Sequence, residues 1–442
     1  MIKVITYGSY DLLHYGHIRL LERAKALGDY LIVGVTSDDY DKTRGKINLQ
    51  QSLMERVEAV KATGIADKII IEEYEGQKID DIKKYNVDIF TVGSDWTGYF
   101  DYLKSYCKVV YLQRTEGVSS SKIREEKRTV RLGLLGDSGF LNKVWKESKM
   151  VNGLHVNALC SNELEVMDKE ARKNISIISS NYDMVLENVD AIYIRSLPKC
   201  HYEDIKKALN KGKHVLCESP MTLSRIQSEE LLKLAKEKNL ILMEAVKTAY
   251  ATAYTRLLLL IEAGKIGNVI SIDSTCTSIR NKENLKEWNS IYEWGPTALL
   301  PILQLFGTRE KEVRIATHFQ DGVNDSFTKM DFVFDNAVGT IKIGDGFKAE
   351  GELIISGSKG YIYVPAPWWK TDYFELRYEN AADNRRYFYQ LDGEGIRYEL
   401  VAFVRAIDNG RMARYIEEYV SEAISSIVSD FHNGIDVIAI KN

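Results

Sequence analysis

The chain opens Met1-Ile2-Lys3-Val4-Ile5-Thr6-Tyr7, then Gly8-Ser9-Tyr10-Asp11-Leu12-Leu13-His14-Tyr15-Gly16-His17. The first seven residues read as a strand. A glycine and a polar turn follow, and a helix begins near the second histidine. A helix N-terminus carries unpaired N–H groups and the positive end of the helix dipole. Two imidazoles three residues apart, with Gly16 directly before the second, add donors that can become cationic. These residue types at a strand–helix junction suit a polyphosphate.

Working outward, strand-like and helix-like segments alternate. A helix over 17–27 carries an apolar stripe of Leu20, Leu21, Ala24 and Leu27. Strands follow at 30–35, 68–71, 87–92 and 108–111, with helices at 51–62 and 78–85. That alternation predicts a doubly wound parallel sheet. A charged bridge at 123–129 leads to a second βαβ pattern. Its strands read at 130–135, 156–160, 191–195 and 214–217, and its helices run toward Met150 and over 202–211 and 226–238. From about Ala249 long β-branched and aromatic runs take over, at 269–277, 331–334, 339–343, 352–356, 360–364, 373–378 and 387–391. They predict a large, mostly antiparallel sheet, closed by helices over 398–409 and 413–430. The fold class is α/β: a doubly wound parallel-sheet domain, a Rossmann-like domain, and an α+β domain. The boundaries expected are 1–127, 128–247 and 248–442.

Gly8-Ser9-Tyr10-Asp11 with His14-Tyr15-Gly16-His17 resembles the signature of the nucleotidyltransferases with a His-x-Gly-His motif. The likeness runs on for about 125 residues through Lys46, Arg56, Gly93-Ser94-Asp95-Trp96 and Arg114-Thr115-Glu116-Gly117-Val118-Ser119-Ser120-Ser121-Lys122-Ile123. This set resembles the glycerol-3-phosphate cytidylyltransferase branch. The resemblance implies a reaction between CTP, bringing Mg2+, and a small polyol phosphate, as used for cell-wall or capsule polymers. In that reaction a phosphate oxygen attacks the α-phosphorus and pyrophosphate leaves. Such a step depends on preorganised cations and N–H donors. His14, His17, Lys46 and Arg114 are the catalytic candidates. Gly8, Ser9, Tyr10, Gly16, Thr115, Ser119 and Ser120 are expected on the nucleotide, and Arg44, Arg56, Asp95 and Trp96 on the acceptor. Asp11 reads as a residue that bonds within its own turn. Transfer from ATP is the alternative, and the Arg114–Gly117 block favours CTP.

Residues from about Val130 onward resemble the Gfo/Idh/MocA oxidoreductases. The resemblance rests on Val189-Asp190-Ala191-Ile192-Tyr193-Ile194, Pro198 with His201, Gly212 to Pro220, and Met243-Glu244-Ala245. It implies a dinucleotide site at Gly133, Gly136, Gly139, Pro198, His201 and Glu218, with NAD(P) as cofactor. The pattern departs from the family's at the points that carry chemistry. The second and third fingerprint glycines fall at Ser138 and Leu141, and the ribose-binding acid is replaced by Ser161 and Asn162. The family's Glu-Lys-Pro reads Glu218-Ser219-Pro220, and its relay histidine falls at Thr297. Loss of acid–base help of this kind typically slows a reaction ~10²–10⁴-fold. Lys247 and His201 are the candidate substitutes. Two readings stand: a domain that has lost efficient hydride transfer and binds or scaffolds, and an NAD(P)-dependent keto-sugar-phosphate reductase feeding the transferase.

The 442 residues, 45% hydrophobic and 28% charged, are ordinary for a globular protein of two or three domains. A net charge of −4 offers no general attraction for nucleic acid or anionic membrane. No basic and apolar leader opens the sequence, and the apolar run Leu257–Ile261 is far too short to span a bilayer. Cys107, Cys160, Cys200, Cys217 and Cys276 lack the spacing of a metal site and read as reduced thiols in a cytoplasmic protein. No Asp/Glu cage dedicated to a metal is legible. A homo-oligomer, a dimer, is what both resemblances imply.

Overall fold

The computed structural model describes residues 1–442 except 12, 14, 38–50, 75, 114–128, 152, 164, 166, 280–287, 320–323, 390, 411–414 and 441–442; of 95 and 392 it describes the backbone alone. The chain divides into two compact units, Met1–Lys127 and Arg128–Gly410 with Tyr415–Asn442.

In the first unit β1 (Lys3–Gly8), β2 (Tyr30–Thr36), β3 (Lys68–Glu72), β4 (Ile89–Gly93) and β5 (Lys108–Leu112) form a parallel sheet in the order β3-β2-β1-β4-β5. Its strands are apolar runs because both faces are covered; Val4, Ile5, Leu31, Ile32, Val33 and Phe90 are fully buried. Helices α1 (Tyr15–Lys25), α2 (Leu53–Ala62) and α3 (Gln77–Tyr85) connect the strands. Leu21 and Ala24 are the buried part of the α1 stripe. Ser52 and Glu55 close a capping box at the start of α2, satisfying two N–H groups of its first turn.

The second unit begins with β6 (Val130–Leu135), β7 (Leu154–Cys160), β8 (Ile177–Ser179), β9 (Ala191–Ile194), β10 (His214–Glu218) and β11 (Leu242–Ala245), in the parallel order β11-β10-β9-β6-β7-β8. Helices α4 (Phe140–Ser148), α5 (Lys169–Asn174), α6 (Tyr182–Glu187), α7 (Pro198–Asn210) and α8 (Arg225–Glu237) belong to this layer. A continuous apolar core of Val185, Ile192, Ile194, Ile205, Leu209, Val215 and Leu231 packs it. After α9 (Lys247–Tyr250) and α10 (Thr252–Glu262) comes a nine-stranded sheet. Its strands are β12 (Val269–Thr277), β13 (Glu312–Phe319), β14 (Asp325–Val333), β15 (Val338–Gly344), β16 (Leu353–Gly357), β17 (Tyr361–Val364), β18 (Tyr373–Arg377), β19 (Arg385–Phe388) and β20 (Val437–Ala439). The order is β19-β18-β17-β16-β12-β15-β14-β13-β20, parallel at β12/β15 and β13/β20 and antiparallel at the other pairs. Helix α11 (Ser290–Phe306) packs on β12, β14 and β15, and α12 (Ile396–Asn409) and α13 (Glu418–His432) complete the unit. Among the described residues no helix is long and apolar enough to cross a membrane. All five cysteines are free.

Strands β8, β11, β13 and β20 and helices α5, α6 and α9 lie outside the expected set, and three further elements differ for a visible reason. Helix α10 is apolar on nearly every side, so it shows no polar stripe to mark it. Helix α11 carries Pro296 and Pro301 in its interior, residues that ordinarily argue against a helix. Helix α13 starts at Glu418, five residues after the expected Ala413.

At the carboxyl edge of the first sheet a polar cluster is sealed inside the unit. Glu72 and Lys78 form an ion pair whose side chains are only 1% and 7% exposed. Thr36 Oγ1 donates to Glu72 Oε2 at 3.1 Å, and Lys78 Nζ lies 4.7 Å from the centroid of the Tyr7 ring. Tyr7 Oη in turn donates to Asp81 at 2.8 Å. Removing one partner of such a pair strands a buried charge, whereas replacing both with apolar groups is often neutral. Lys78→Met should therefore cost about 3–5 kcal/mol of unfolding free energy in urea, and Lys78→Met with Glu72→Leu should recover most of it. Equal losses in the single and double variants would contradict this account.

Candidate active site

In a parallel α/β sheet, ligands bind outside the carboxyl ends of the strands where strand order reverses. In the first unit that point lies between β1 and β4, which pair directly although β2 and β3 intervene in sequence. Gly8–His17 leave the end of β1, and a 3₁₀ turn over Ser94–Trp96 leaves the end of β4. The reversal thus lies between the end of β1, after which Ser9 and Tyr10 follow, and the Ser94–Trp96 turn after β4.

The turn is built on a glycine and a tyrosine. Tyr10 stands at φ +52°, in the left-handed region, and its ring is buried beneath the turn. A Cβ on Gly8 would meet that ring at 3.0–3.3 Å. Gly8 therefore makes room for Tyr10. The Tyr10 ring meets the His17 imidazole edge-on, 5.6 Å between centroids at 71°. This contact seats His17, which is half-buried in the first turn of α1. Asp11 Oδ1 reaches across the chain to accept the Gln51 N–H at 3.0 Å.

Arg56 corrects another expectation. It has no exposed surface. Its Nη1 donates to the carbonyls of Ser9 at 2.6 Å and Thr36 at 2.9 Å, and its Nε to that of Gln51 at 3.2 Å. A guanidinium so committed ties the turn after β1 to the end of β2 and the start of α2. It positions the site instead of meeting an acceptor. Trp96 is 36% exposed and packs edge-on against Tyr99, as the wall of a crevice could. Gly16 lies in the first turn of α1, and Ser9 just beyond the end of β1. His14, Arg44, Lys46, Arg114, Thr115, Ser119 and Ser120 lie outside the described residues, as does the side chain of Asp95. The buried Glu72–Lys78 pair behind this edge had no legible signal, since a glutamate ending a strand and a lysine opening a helix usually face water.

In the second unit the reversal lies between β6 and β9. Gly136, at the end of β6, has φ +140°, and a Cβ there would lie 2.3 Å from the Arg195 carbonyl oxygen. The Arg195 side chain, just past β9, occupies the crevice. Its guanidinium pairs with Glu218 at 3.5 Å and Glu293 at 3.2 Å. It also lies 3.8 Å from the Trp288 ring centroid and 5.3 Å from that of Phe140. Glu218 also accepts from Tyr193 Oη at 2.5 Å. Burial and the neighbouring Glu218 push the Glu399 carboxyl well above its ordinary range, against the pull of Lys247.

At the far end of the crevice Asp137 Oδ1 accepts from Ser161 Oγ and from the Asn162 N–H, each at 2.7 Å. Burial works to raise this carboxyl, but those donors outweigh it and hold it below its usual range. The other expected dinucleotide residues have structural duties. Gly133 lies within β6, where a Cβ would strike Ile192 at 2.7 Å. Gly139 precedes α4 at an ordinary φ of −58°. Pro198 is buried at the first turn of α7. His201 is fully buried, with Nδ1 and Nε2 each 2.9 Å from a carbonyl, of Pro220 and Ser196 respectively. It braces two loops and is closed to proton relay.

Residues 5–126 match the cytidylyltransferase-like family, and residues 130–246 match the oxidoreductase family with an NAD-binding Rossmann fold. Over 126 residues the chain is 48% identical to the glycerol-3-phosphate cytidylyltransferase of Staphylococcus aureus, covering 28% of this chain and 95% of that one. The chain belongs to the cytidylyltransferase family. The corresponding enzyme of Bacillus subtilis is 49% identical over 126 residues, 28% of this chain and 97% of its own length. This nucleotidyltransferase carries a C-terminal Gfo/Idh/MocA oxidoreductase domain. A 3-ketoreductase from Actinomadura kijaniata, solved with TDP-benzene and NADP, shares the fold at a TM-score of 0.62 and 18% identity, covering 71% of this chain and 100% of that one.

Burial pushes His201 down to about 4, against the pull of its two carbonyl partners. An unfolded histidine titrates near 6.5. Between these values the unfolded chain binds the proton that the native state refuses, so stability rises with pH. The second unit should lose about 3 kcal/mol as pH falls from 6.5 to 4 on account of this ring alone. Unfolding of the wild type and of His201→Gln, compared at pH 7 and pH 4, measures the contribution as the change in their difference. A pH-independent difference would contradict it.

Proposed function

We propose that the first unit joins CTP and a small polyol phosphate of the glycerol-3-phosphate type, giving a CDP-polyol and pyrophosphate. The observation that carries this reading is His17, seated by Tyr10 at the N-terminus of α1 where the sheet reverses its strand order. An imidazole beside helix N–H groups and the positive dipole end is the combination a triphosphate requires. The identity to cytidylyltransferases named for glycerol 3-phosphate supports both the base and the acceptor class.

The nucleophile, a phosphate oxygen of the acceptor, is already anionic at neutral pH, so the reaction needs no general base. One P–O bond forms at the α-phosphorus as the bond to the β-phosphate's bridging oxygen breaks. Negative charge grows on that bridge and on the pentacoordinate centre. His17 and, by family likeness, His14 donate to the α- and β-phosphates as this charge grows. Lys46 and Arg114 bring further positive charge, and Mg2+ arrives with the nucleotide. Gly8, Ser9, Tyr10, Gly16, Thr115, Ser119 and Ser120 form the nucleotide's cradle; in it Gly8 and Tyr10 act by holding the turn. Arg44, Asp95 and Trp96 serve the acceptor, while Arg56 holds the backbone of the turn in place. Fixed donors of this kind act without reorganising as charge develops.

Pyrophosphate release from CTP across a panel of polyol phosphates tests the assignment. His17→Ala should lower turnover about 10²–10³-fold, the usual consequence of losing one preorganised donor, with melting temperature unchanged. Near wild-type turnover in that variant would remove His17 from the mechanism.

A further inference from the structure

The oxidoreductase fold implies a nicotinamide dinucleotide, and the residues present do not fit one. Such a cofactor lays its pyrophosphate on the turn after the first strand and its adenosine ribose at the end of the second. Here those places hold Asp137, whose carboxylate already takes the N–H of Asn162 and the hydroxyl of Ser161. A fixed anion beside a pyrophosphate is repulsive. The nicotinamide end should lie at the strand reversal, beside the end of β9. That place holds Arg195, tied to Glu218 and Glu293 and packed on Trp288. The nicotinamide end of the crevice is filled by the chain itself.

What remains is a cavity of about 330 Å³, at the small end of the range for ligand pockets. Its lining includes Lys143, Arg195, Lys247 and Lys370 against Glu218, Glu293 and Glu394, four cations to three carboxylates. The carboxylates are engaged: Lys143 and Lys370 hold Glu394 at 3.0 and 2.7 Å, and Arg195 holds the other two. Lys247 makes no ion pair among the described residues, and its Nζ rests 4.7 Å over the Phe140 ring. Trp294 and Trp369, with ring centroids 4.9 Å apart, supply an aromatic wall, and Thr248 and Thr297 add hydroxyls. A cation with no ion pair among the described residues, an aromatic wall and hydroxyls in a small cavity suit a phosphorylated polyol. We infer that the second unit excludes the dinucleotide and binds one small phosphorylated polyol, its phosphate on Lys247. The identity of that ligand rests on the acceptor class proposed for the first unit.

Calorimetry on the full chain tests this, with glycerol 3-phosphate, inorganic phosphate, NAD+, NADH, NADP+ and NADPH as titrants. Glycerol 3-phosphate should bind at two sites per chain, and none of the four dinucleotides should bind at millimolar concentration. Lys247→Met should weaken one of the two sites about tenfold or more, the effect of losing a charged hydrogen bond, and Lys247→Arg should keep it. Micromolar binding of any dinucleotide overturns the exclusion. A single site per chain, or inorganic phosphate binding as tightly as glycerol 3-phosphate, overturns the polyol site. Pyrophosphate release from CTP, followed in parallel, reports on the first unit alone, so failure of the transferase reading is seen separately.

Discussion

Each parallel sheet reverses its strand order once, and that reversal is the constraint on which both sites depend. Strands on either side of the reversal send their following loops in opposite directions, which leaves a crevice at their carboxyl ends. The parallel order β3-β2-β1-β4-β5 opens one between β1 and β4, and β11-β10-β9-β6-β7-β8 opens another between β6 and β9. The same geometry serves opposite ends. Around the first crevice the chain spends buried polar groups on holding a turn in shape, through Arg56 on three carbonyls and Tyr10 against His17. In the second it fills the opening with a guanidinium.

Much of this was legible in residue order, and the reason is physical. Strands buried on both faces must be apolar runs, so β1, β2 and β6 announce themselves. A glycine before a polar turn and a helix marks a β–α junction that can hold an anion. What escaped notice depends on contacts distant in sequence. Arg56 looks like a surface cation on its helix until Ser9 and Thr36, 47 and 20 residues away, are seen to supply its acceptors. His201 reads as a ligand from its neighbours, yet Pro220 and Ser196 close both of its nitrogens. Helix α11 was hidden because Pro296 and Pro301 break the local rule while burial against the large sheet overrides it.

The departures at Ser138, Ser161, Ser219 and Thr297 already spoke against hydride transfer, but they did so by what is missing. Arg195 and Asp137 speak by what is present, and their weight can be gauged. Removing Arg195 from the crevice separates a buried cation from two carboxylates and an aromatic face. Breaking a buried pair of this kind costs about 3–5 kcal/mol. At 1.4 kcal/mol per tenfold, that is about 10²–10⁴ in affinity for any ligand that must displace it. A dinucleotide with micromolar intrinsic affinity would then bind at about 0.1–10 mM. A small anion that enters beside Lys247 disturbs neither pair and meets no such penalty. On the exclusion we propose, the difference in displacement energy, more than the lost glycines, is what turns a redox cofactor away from this crevice.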